Sequence, residues 1–327
     1  MNSNNINFSE SEDLRIKNNK YLKFKEKVDY KFIIYIVFSL FILIYLFIIL
    51  SIIKINKNND LKLKEQLIEK LNIIEQNLNN IKENTLQYKK KNNNIYNVLY
   101  SMNVVGYKKI RIGRKADGGY ILLDDLRNIK IAYSFGISTE ISFDKELADK
   151  NIDVYMYDHS INSLPFENSR FHWKKIGLSG MISNKTNLKT LPELLNENGH
   201  SKENDLILKL DIESYEWDVF QNLPINTLNQ FKFIVCEFHF SERKINDYIN
   251  ILKKLQLTHQ IFHLHCNNCG NIIELDGYKI CNLLEISFIK KNGYNFSKNN
   301  DIFPIEGLDY KNCIKNREIS DILNIYN

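Results

Sequence analysis

Residues 206–213 read LILKLDIE, and this stretch decides the fold class. Its first five residues are apolar except for one lysine, which predicts a buried strand, and that strand gives way to Asp211. Helix-like segments separate it from other short apolar runs before and after it. An alternation of short strands with helices is typical of an α/β domain built on a mostly parallel sheet.

The same pattern predicts the remaining elements of this domain. The last two predicted strands follow one another without a helical crossover, so we expect them to pair as an antiparallel edge of the sheet. A capping box at Thr190 and Glu193 predicts a helix that ends at Gly199, and Asp117-Gly118-Gly119 predicts a hairpin turn. The predicted strands are 129–135, 154–157, 175–178, 206–210, 233–236, 260–264 and 284–289, with a helix over 141–150 and hairpin arms at 110–112 and 120–123.

Polar residues stand where the predicted strands end, and ligands of open parallel sheets bind beyond those ends. The turn SFGIS at 134–138 has one glycine where a dinucleotide site has three, which disfavours a pyrophosphate cofactor. S-adenosylmethionine carries no phosphate, so Ser134, Gly136 and Ser138 are predicted to hold its methionine portion. Asp158 and Asp211 complete the predicted cofactor site, because an acid at the end of the second strand suits the ribose hydroxyls. The alternative is that each acid caps a helix or a turn.

Four side chains are the candidates for chemistry: Asp211, Glu213, Glu237 and His239. Transfer of a methyl group to a hydroxyl needs a base, and a histidine beside a carboxylate suits that task. We predict His239 as the base and Glu237 as the residue that orients it, since residues i and i+2 of a strand share a face. The alternatives are a divalent metal held by the same four residues, or a hydrogen-bonded turn. Trp217 is predicted to pack in the core.

Six segments carry a family resemblance: RIGRKADGGY at 111–120, YSFG at 133–136, LKLDIE at 208–213 with Glu216 and Trp217, EFH at 237–239, HLHCNN at 263–268 and LEI at 284–286. Together they resemble the methyltransferase-like domain family related to the FkbM methyltransferases. The resemblance implies a class I fold that uses S-adenosylmethionine, with O-methylation of a small or glycan-like acceptor as one family activity. The sequence departs from the family at Ser214, where related enzymes often carry glycine, and an inactive membrane scaffold is the alternative.

Net charge and cysteine content limit the partners and metal sites that the sequence predicts. The formal charge of +5 is spread along the chain without a dense basic block, so nucleic acid is not an expected partner. Five cysteines do not make a disulfide scaffold in a chain of this length. Cys266 and Cys269 form a Cys-x-x-Cys pair, for which zinc is a disfavoured alternative, and no metal is predicted. Cys236 and Cys281 are predicted to be small buried apolar side chains.

The amino-terminal third predicts a membrane anchor. Residues 32–53 contain only apolar residues, serines and tyrosines, and they are long enough for one transmembrane helix. Residues 1–31 form a polar tail that is rich in lysine. By the positive-inside rule, we expect this tail in the cytoplasm and the catalytic domain, residues 95–327, on the non-cytoplasmic side.

Between anchor and domain, residues 58–91 predict a helical stalk. Leu71, Ile74, Leu78 and Ile81 recur at heptad spacing, which favours a coiled coil and a homodimer. A solvated helical spacer is the alternative, because the repeat is short.

Overall fold

The structure is a computed structural model that describes residues 61–92, 94–241 and 243–320. Its contacts divide the chain into two units, Met1–Lys89 and Lys90–Asn327. The predicted tail at 1–31 and transmembrane helix at 32–53 lie outside the described residues. No helix within the described ranges has the length and apolar character that a membrane crossing requires.

Helix α1 (Leu61–Asn92) covers most of the predicted stalk. Leu71, Ile74 and Leu78 are half-buried, whereas the residues between them are exposed. Ile81, the fourth heptad position, is exposed, so three of the four predicted positions share the less exposed face of the helix. Pairing of this face with a second helix stays a prediction.

The second unit contains a sheet of seven strands in the order β11-β14-β10-β9-β4-β5-β6. All neighbours in it are parallel except β14, which is antiparallel to both β10 and β11. In chain order the elements are α2 (Ile95–Val98), β1 (Met102–Val104), β2 (Lys109–Ile112), β3 (Tyr120–Leu123), β4 (Ile131–Phe135), α3 (Ser142–Asp149), β5 (Asp153–Tyr157), β6 (Phe171–Lys174), β7 (Gly177–Leu178), β8 (Leu188–Lys189), α4 (Leu191–Glu197), β9 (Leu206–Leu210), α5 (Glu216–Asn222), α6 (Ile225–Leu228), β10 (Phe231–His239), α7 (Ile245–Leu255), β11 (His259–Cys266), β12 (Ile272–Leu275), β13 (Tyr278–Cys281), β14 (Leu283–Lys290) and β15 (Phe296–Lys298).

Six of the seven predicted strands are confirmed, and the remaining one was wrong. Residues 175–178 do not supply the third parallel strand, because β6 pairs with β5 and β7 pairs with the short β8. Strand β6 reads FHWK with alternate residues exposed, so it lacks the continuous apolar run of a central strand. The predicted antiparallel edge is confirmed: β11 and β14 pair antiparallel at one end of the sheet, and β11 is the outermost strand.

Strand β10 is longer than its predicted range of 233–236. Its pairing with β9 ends at Cys236 opposite Leu210, but its pairing with β14 continues to His239. Glu237 and His239 thus lie inside an extended strand instead of in the turn beyond it. This extension places both side chains past the end of β9 and fixes their backbone by sheet hydrogen bonds.

Apolar layers cover both faces of the sheet. One face packs against α2 and α4 to α7, and the other packs against α3 and the β2–β3 hairpin. The capping box of Thr190 and Glu193 is confirmed, and so is the burial of Trp217. The Trp217 Nε1 atom also donates a hydrogen bond of 2.7 Å to the His239 carbonyl, which ties the end of β10 to α5.

Two disulfides join four of the five cysteines. Cys266 bonds Cys281, and Cys269 bonds Cys313, so the zinc alternative for the Cys-x-x-Cys pair was wrong. Cys281 is therefore not a free apolar side chain, whereas Cys236 is free and buried as predicted. Spacing alone missed the bonds because the β12–β13 hairpin brings Cys281 back to Cys266, and Cys313 arrives from a distant carboxy-terminal segment.

Candidate active site

A cavity of about 400 Å³ opens at the carboxyl ends of β4, β5 and β9. Four of the five predicted cofactor residues line it: Gly136, Ser138, Asp158 and Asp211. The catalytic candidate Glu213 lines it as well. Sequence reasoning missed the rest of the lining, which is Phe135, Tyr157, His159, Ser160, Gly177, Leu178, Ile212 and Tyr215.

Ser134 is the predicted cofactor residue that does not line the cavity. It is buried in β4, with only 1% of its surface exposed. Because alternate residues of a strand face opposite sides of the sheet, the neighbouring Phe135 reaches the cavity and Ser134 does not. Ser134 therefore lies within the strand and not in the turn where its cofactor role was predicted.

Packing within the protein, and not contact with a ligand, requires glycine at position 136. Gly136 has a φ of +76°, and a Cβ atom there would lie 1.6 Å from the Asp211 carbonyl oxygen. The turn that follows β4 thus packs directly on the end of β9. The buried Lys209 side chain secures it, because its Nζ atom donates a hydrogen bond of 2.6 Å to the Gly136 carbonyl.

Asp158 holds the same turn from the β5 side. Its Oδ2 atom accepts hydrogen bonds of 2.9 Å from the backbone N–H groups of Ile137 and Ser138. Its Oδ1 atom accepts from both the backbone N–H and the hydroxyl of Ser160. Burial raises the pKa of this carboxyl, but the hydrogen bonds from Ser138, Ser160 and Ile137 outweigh burial and hold it below its usual range. Asp158 is therefore an ionised anchor at the rim of the cavity.

The loop after β9 adopts an uncommon backbone conformation. Glu213 and Ser214 have φ values of +55° and +80°. This region favours glycine, and each non-glycine residue in it costs about 1 to 2 kcal/mol. The structure thus explains why a glycine suits position 214, while Ser214 itself is exposed and leaves the cavity open.

His239 lies beside the cavity within a group of carboxylates. Its Nδ1 atom is 3.2 Å from Glu216 Oε1, and its Nε2 atom is 3.4 Å from Glu213 Oε2. Glu237, the predicted orienting residue, is farther away, with 3.7 Å between its Oε1 atom and Nε2. The fully buried Glu216 on α5 is consequently the closer partner, although sequence reasoning assigned it no role.

Burial and charge act in opposite directions on these groups. Burial lowers the pKa of His239, but its contact with the accepting Glu216 carboxylate and the charges of Glu216, Glu237 and Asp211 raise it overall to about 9. Burial, together with the charges of Asp211 and Glu285, raises the pKa of Glu237 well above its usual range. Asp211 also has a raised pKa, mainly because of burial. Burial and mutual repulsion therefore disfavour the ionised forms of Asp211 and Glu237.

Two sets of side chains have the spacing of metal ligands. Asp211, Glu237 and His239 form the first, which matches the alternative weighed from the sequence. Asp117, Glu237 and Glu285 form the second, and in it Asp117 comes from the turn between β2 and β3. No sequence pattern indicated the second set, because its members lie on three distant segments of the chain.

Comparisons with known proteins relate the chain to methyltransferases. A family model described as "Methyltransferase domain" matches residues 58–246, which is more than half of the chain. "Probable methyltransferase-like protein 24" of Homo sapiens is 29% identical over 135 residues, 38% of this chain and 36% of the human protein. This match spans only about a third of the human relative. A structure titled "Putative hemolysin from Streptococcus thermophilus" aligns at a TM-score of 0.30 and 12% identity, over 54% of this chain and 72% of that one. That similarity is too low to carry over a fold or an activity.

Proposed function

The chain belongs to the methyltransferase domain family, and from this premise we propose that it transfers a methyl group from S-adenosylmethionine to a hydroxyl of a small or glycan-like acceptor. The observation that carries the proposal is the cavity that Gly136, Asp158 and Asp211 line together at the carboxyl ends of three parallel strands. The relation to FkbM enzymes, and the O-methylation that it implies, stay predictions.

The cavity suits the proposed cofactor in size and chemistry. A volume of about 400 Å³ lies within the range of small-molecule sites. Phe135, Leu178 and Tyr215 supply apolar surface for an adenine ring. The ionised Asp158 lies at the rim, where a ribose hydroxyl would replace the Ser160 hydroxyl as a donor to Oδ1. Asp211 provides negative charge for a cationic methionine portion. The absence of a glycine-rich phosphate cradle favours this cofactor over NAD.

The residues around the cavity suggest how the transfer proceeds. When bound, S-adenosylmethionine supplies an electrophilic methyl group. Glu216 contacts Nδ1 of His239 and so orients the ring. Nε2 then lies on the side of Glu213 and Glu237, where it can accept the proton of the acceptor hydroxyl. Because the pKa of His239 is about 9, this residue must lose its proton before it can act as the base. A positive charge held near Asp211 would lower that pKa. The main task of the remaining walls is to hold the acceptor in line and to exclude water.

The cofactor assignment is tested by thermal unfolding with S-adenosylhomocysteine. At a hundredfold excess over Kd, a ligand stabilises the native state by about 2.7 kcal/mol. We expect this stabilisation in the native chain and its loss in Asp158→Ala. Asp149→Ala is the matched control, because it removes the same side chain from an exposed position outside the cavity. Equal stabilisation of the Asp158→Ala variant would argue against the ribose role.

We also propose that residues 32–53 anchor the chain and that the catalytic domain faces an oxidising compartment. The two disulfides support this proposal, since such bonds persist mainly in secreted or lumenal domains. Asn184 and Asn295 are exposed and begin Asn-x-Ser/Thr sequons. In a eukaryotic secretory pathway, we expect glycosidase treatment to increase the electrophoretic mobility of the chain. A chain with unmodified sequons and reduced cysteines would contradict the placement.

The partner proposed for the stalk is a second copy of this chain. The half-buried face of α1 at Leu71, Ile74 and Leu78 has the spacing that suits a parallel partner helix. Chemical cross-linking of the full chain should trap dimers. Recovery of monomers alone would leave α1 as a solvated spacer.

A further inference from the structure

A second group of acids lies on the side of Glu237 that faces away from β9, and the proposed function does not use it. Glu237 on β10 stands directly opposite Glu285 on the antiparallel strand β14. Both glutamates are buried, with 5% and 6% of their surfaces exposed. Like charges at directly opposed positions destabilise a sheet, so a cation bound between the two glutamates would relieve their electrostatic repulsion.

Asp117 completes the group from the Asp-Gly-Gly turn. One carboxylate oxygen from each of the three acids lies within 4.8 Å of the other two. Within the described ranges, the ion pairs of Glu285 and Glu237 are to histidines, and no lysine or arginine pairs with any of the three acids. Three carboxylates therefore converge without a matching number of basic side chains.

Asn312 gives an independent sign of a missing ligand. Its side chain is 7% exposed, and its Nδ2 atom donates hydrogen bonds of 3.1 Å to Asp117 Oδ1 and 2.6 Å to Glu285 Oε1. Its Oδ1 atom is buried and has no hydrogen-bond partner in the described part of the chain. The amide thus turns its N–H groups toward two of the three carboxylates. A half-turn of the amide on cation binding would exchange the nitrogen for the unsatisfied oxygen, which is a ligand that hard cations accept.

We propose that Asp117, Glu237 and Glu285, with the amide oxygen of Asn312, bind one divalent cation. The donors are all oxygen atoms, so the site takes a hard cation such as Mn²⁺, Ca²⁺ or Mg²⁺ and not zinc. Neighbouring bonds fix the ligands in place: Asn267 Nδ2 donates to Glu237 Oε2 at 2.9 Å, and His265 Nδ1 contacts Glu285 Oε2 at 2.9 Å.

The Cys269–Cys313 disulfide positions the fourth ligand. Asn312 immediately precedes Cys313, whose backbone N–H donates a hydrogen bond of 2.8 Å to Asn268 Oδ1. The carboxy-terminal segment is thereby tied to the loop after β11. Because Glu237 also belongs to the group around His239, the cation sits where it can bind an acceptor oxygen next to the proposed base. This role rests on the proposed function, whereas cation binding itself does not.

The test is a titration of the full chain with MnCl₂, in which the signal of free Mn²⁺ is followed by electron paramagnetic resonance without cofactor or acceptor. We expect one saturable site that Ca²⁺ competes for, and an affinity lowered by about tenfold or more in Asp117→Asn, Glu285→Gln and Asn312→Ala. Glu167→Gln is the control, because it removes one carboxylate charge from an exposed position.

Native protein without saturable Mn²⁺ binding would overturn the proposal whether or not the variants fold. Native binding that survives all three substitutions would overturn it too, by placing the cation elsewhere. Binding of S-adenosylhomocysteine is measured in parallel. If that ligand fails to bind while Mn²⁺ binds, the cofactor proposal fails and the cation site stands. The reverse result refutes the cation site alone.

Discussion

Substitution of His239 by glutamine is expected to lower the rate of methyl transfer by about 10²- to 10⁴-fold, the usual contribution of a positioned general base. Glutamine keeps a polar side chain of similar length but does not accept a proton at neutral pH. The affinity for S-adenosylhomocysteine should stay within about twofold of the native value, because His239 does not line the cofactor cavity.

The measurement is the transfer of radiolabelled methyl from S-adenosylmethionine to a mixed oligosaccharide pool. Glu216→Gln should lower the rate by a smaller factor, about 10- to 100-fold, because glutamine keeps the contact with Nδ1 but not the charge. His172→Gln, on edge strand β6, is the control for loss of an imidazole. A His239→Gln variant that keeps a third or more of the native rate would remove His239 from the mechanism.

The second large effect is expected at Gly136. An alanine Cβ would lie 1.6 Å from the Asp211 carbonyl oxygen, so the turn after β4 and the end of β9 must separate. The positive φ of +76° adds further strain. We expect the free energy of unfolding to fall by about 2 to 4 kcal/mol and binding of S-adenosylhomocysteine to be lost.

Gly199→Ala supplies a matched control for this substitution. Gly199 has a similar φ of +78°, but nothing lies within 4 Å of a Cβ placed there. Its replacement should cost only the conformational strain, about 1 kcal/mol, and leave ligand binding unchanged. Urea unfolding and calorimetric titration measure both variants. Equal losses in the two would show that the contact with Asp211 does not matter.

The sequence predicted the core of the fold because its central strands are continuous apolar runs. The apolar runs LILKL at β9 and IAYSF at β4 are each sufficient to predict a strand. The Thr190 capping box predicts a helix start, because its hydrogen bonds are local in sequence. Strand β6 was not predicted, because it is an edge strand in which polar and apolar residues alternate. The antiparallel edge pair was predicted, but which of β11 and β14 lies outermost was not, because strand order depends on which surfaces pack together.

The candidate site divides in the same way. Gly136, Asp158 and Asp211 were found because each follows a strand directly, and parallel strands bring their carboxyl ends together. Glu216 and Lys209 were missed, since one lies inside a helix and the other inside a strand, where no local pattern marks a functional side chain. Glu285 and Asn312 reach the site from β14 and the carboxy-terminal segment. Only the folded chain brings them to Asp117.

The most direct test of a cofactor pocket at the ends of β4, β5 and β9 is a crystal structure of the protein grown with S-adenosylhomocysteine. The prediction is electron density in the cavity, with the ribose hydroxyls within hydrogen-bond distance of Asp158 and the adenine ring between Leu178 and Tyr215. Crystals that hold the ligand at a different surface, or that show Tyr215 filling the cavity under saturating ligand, would contradict it.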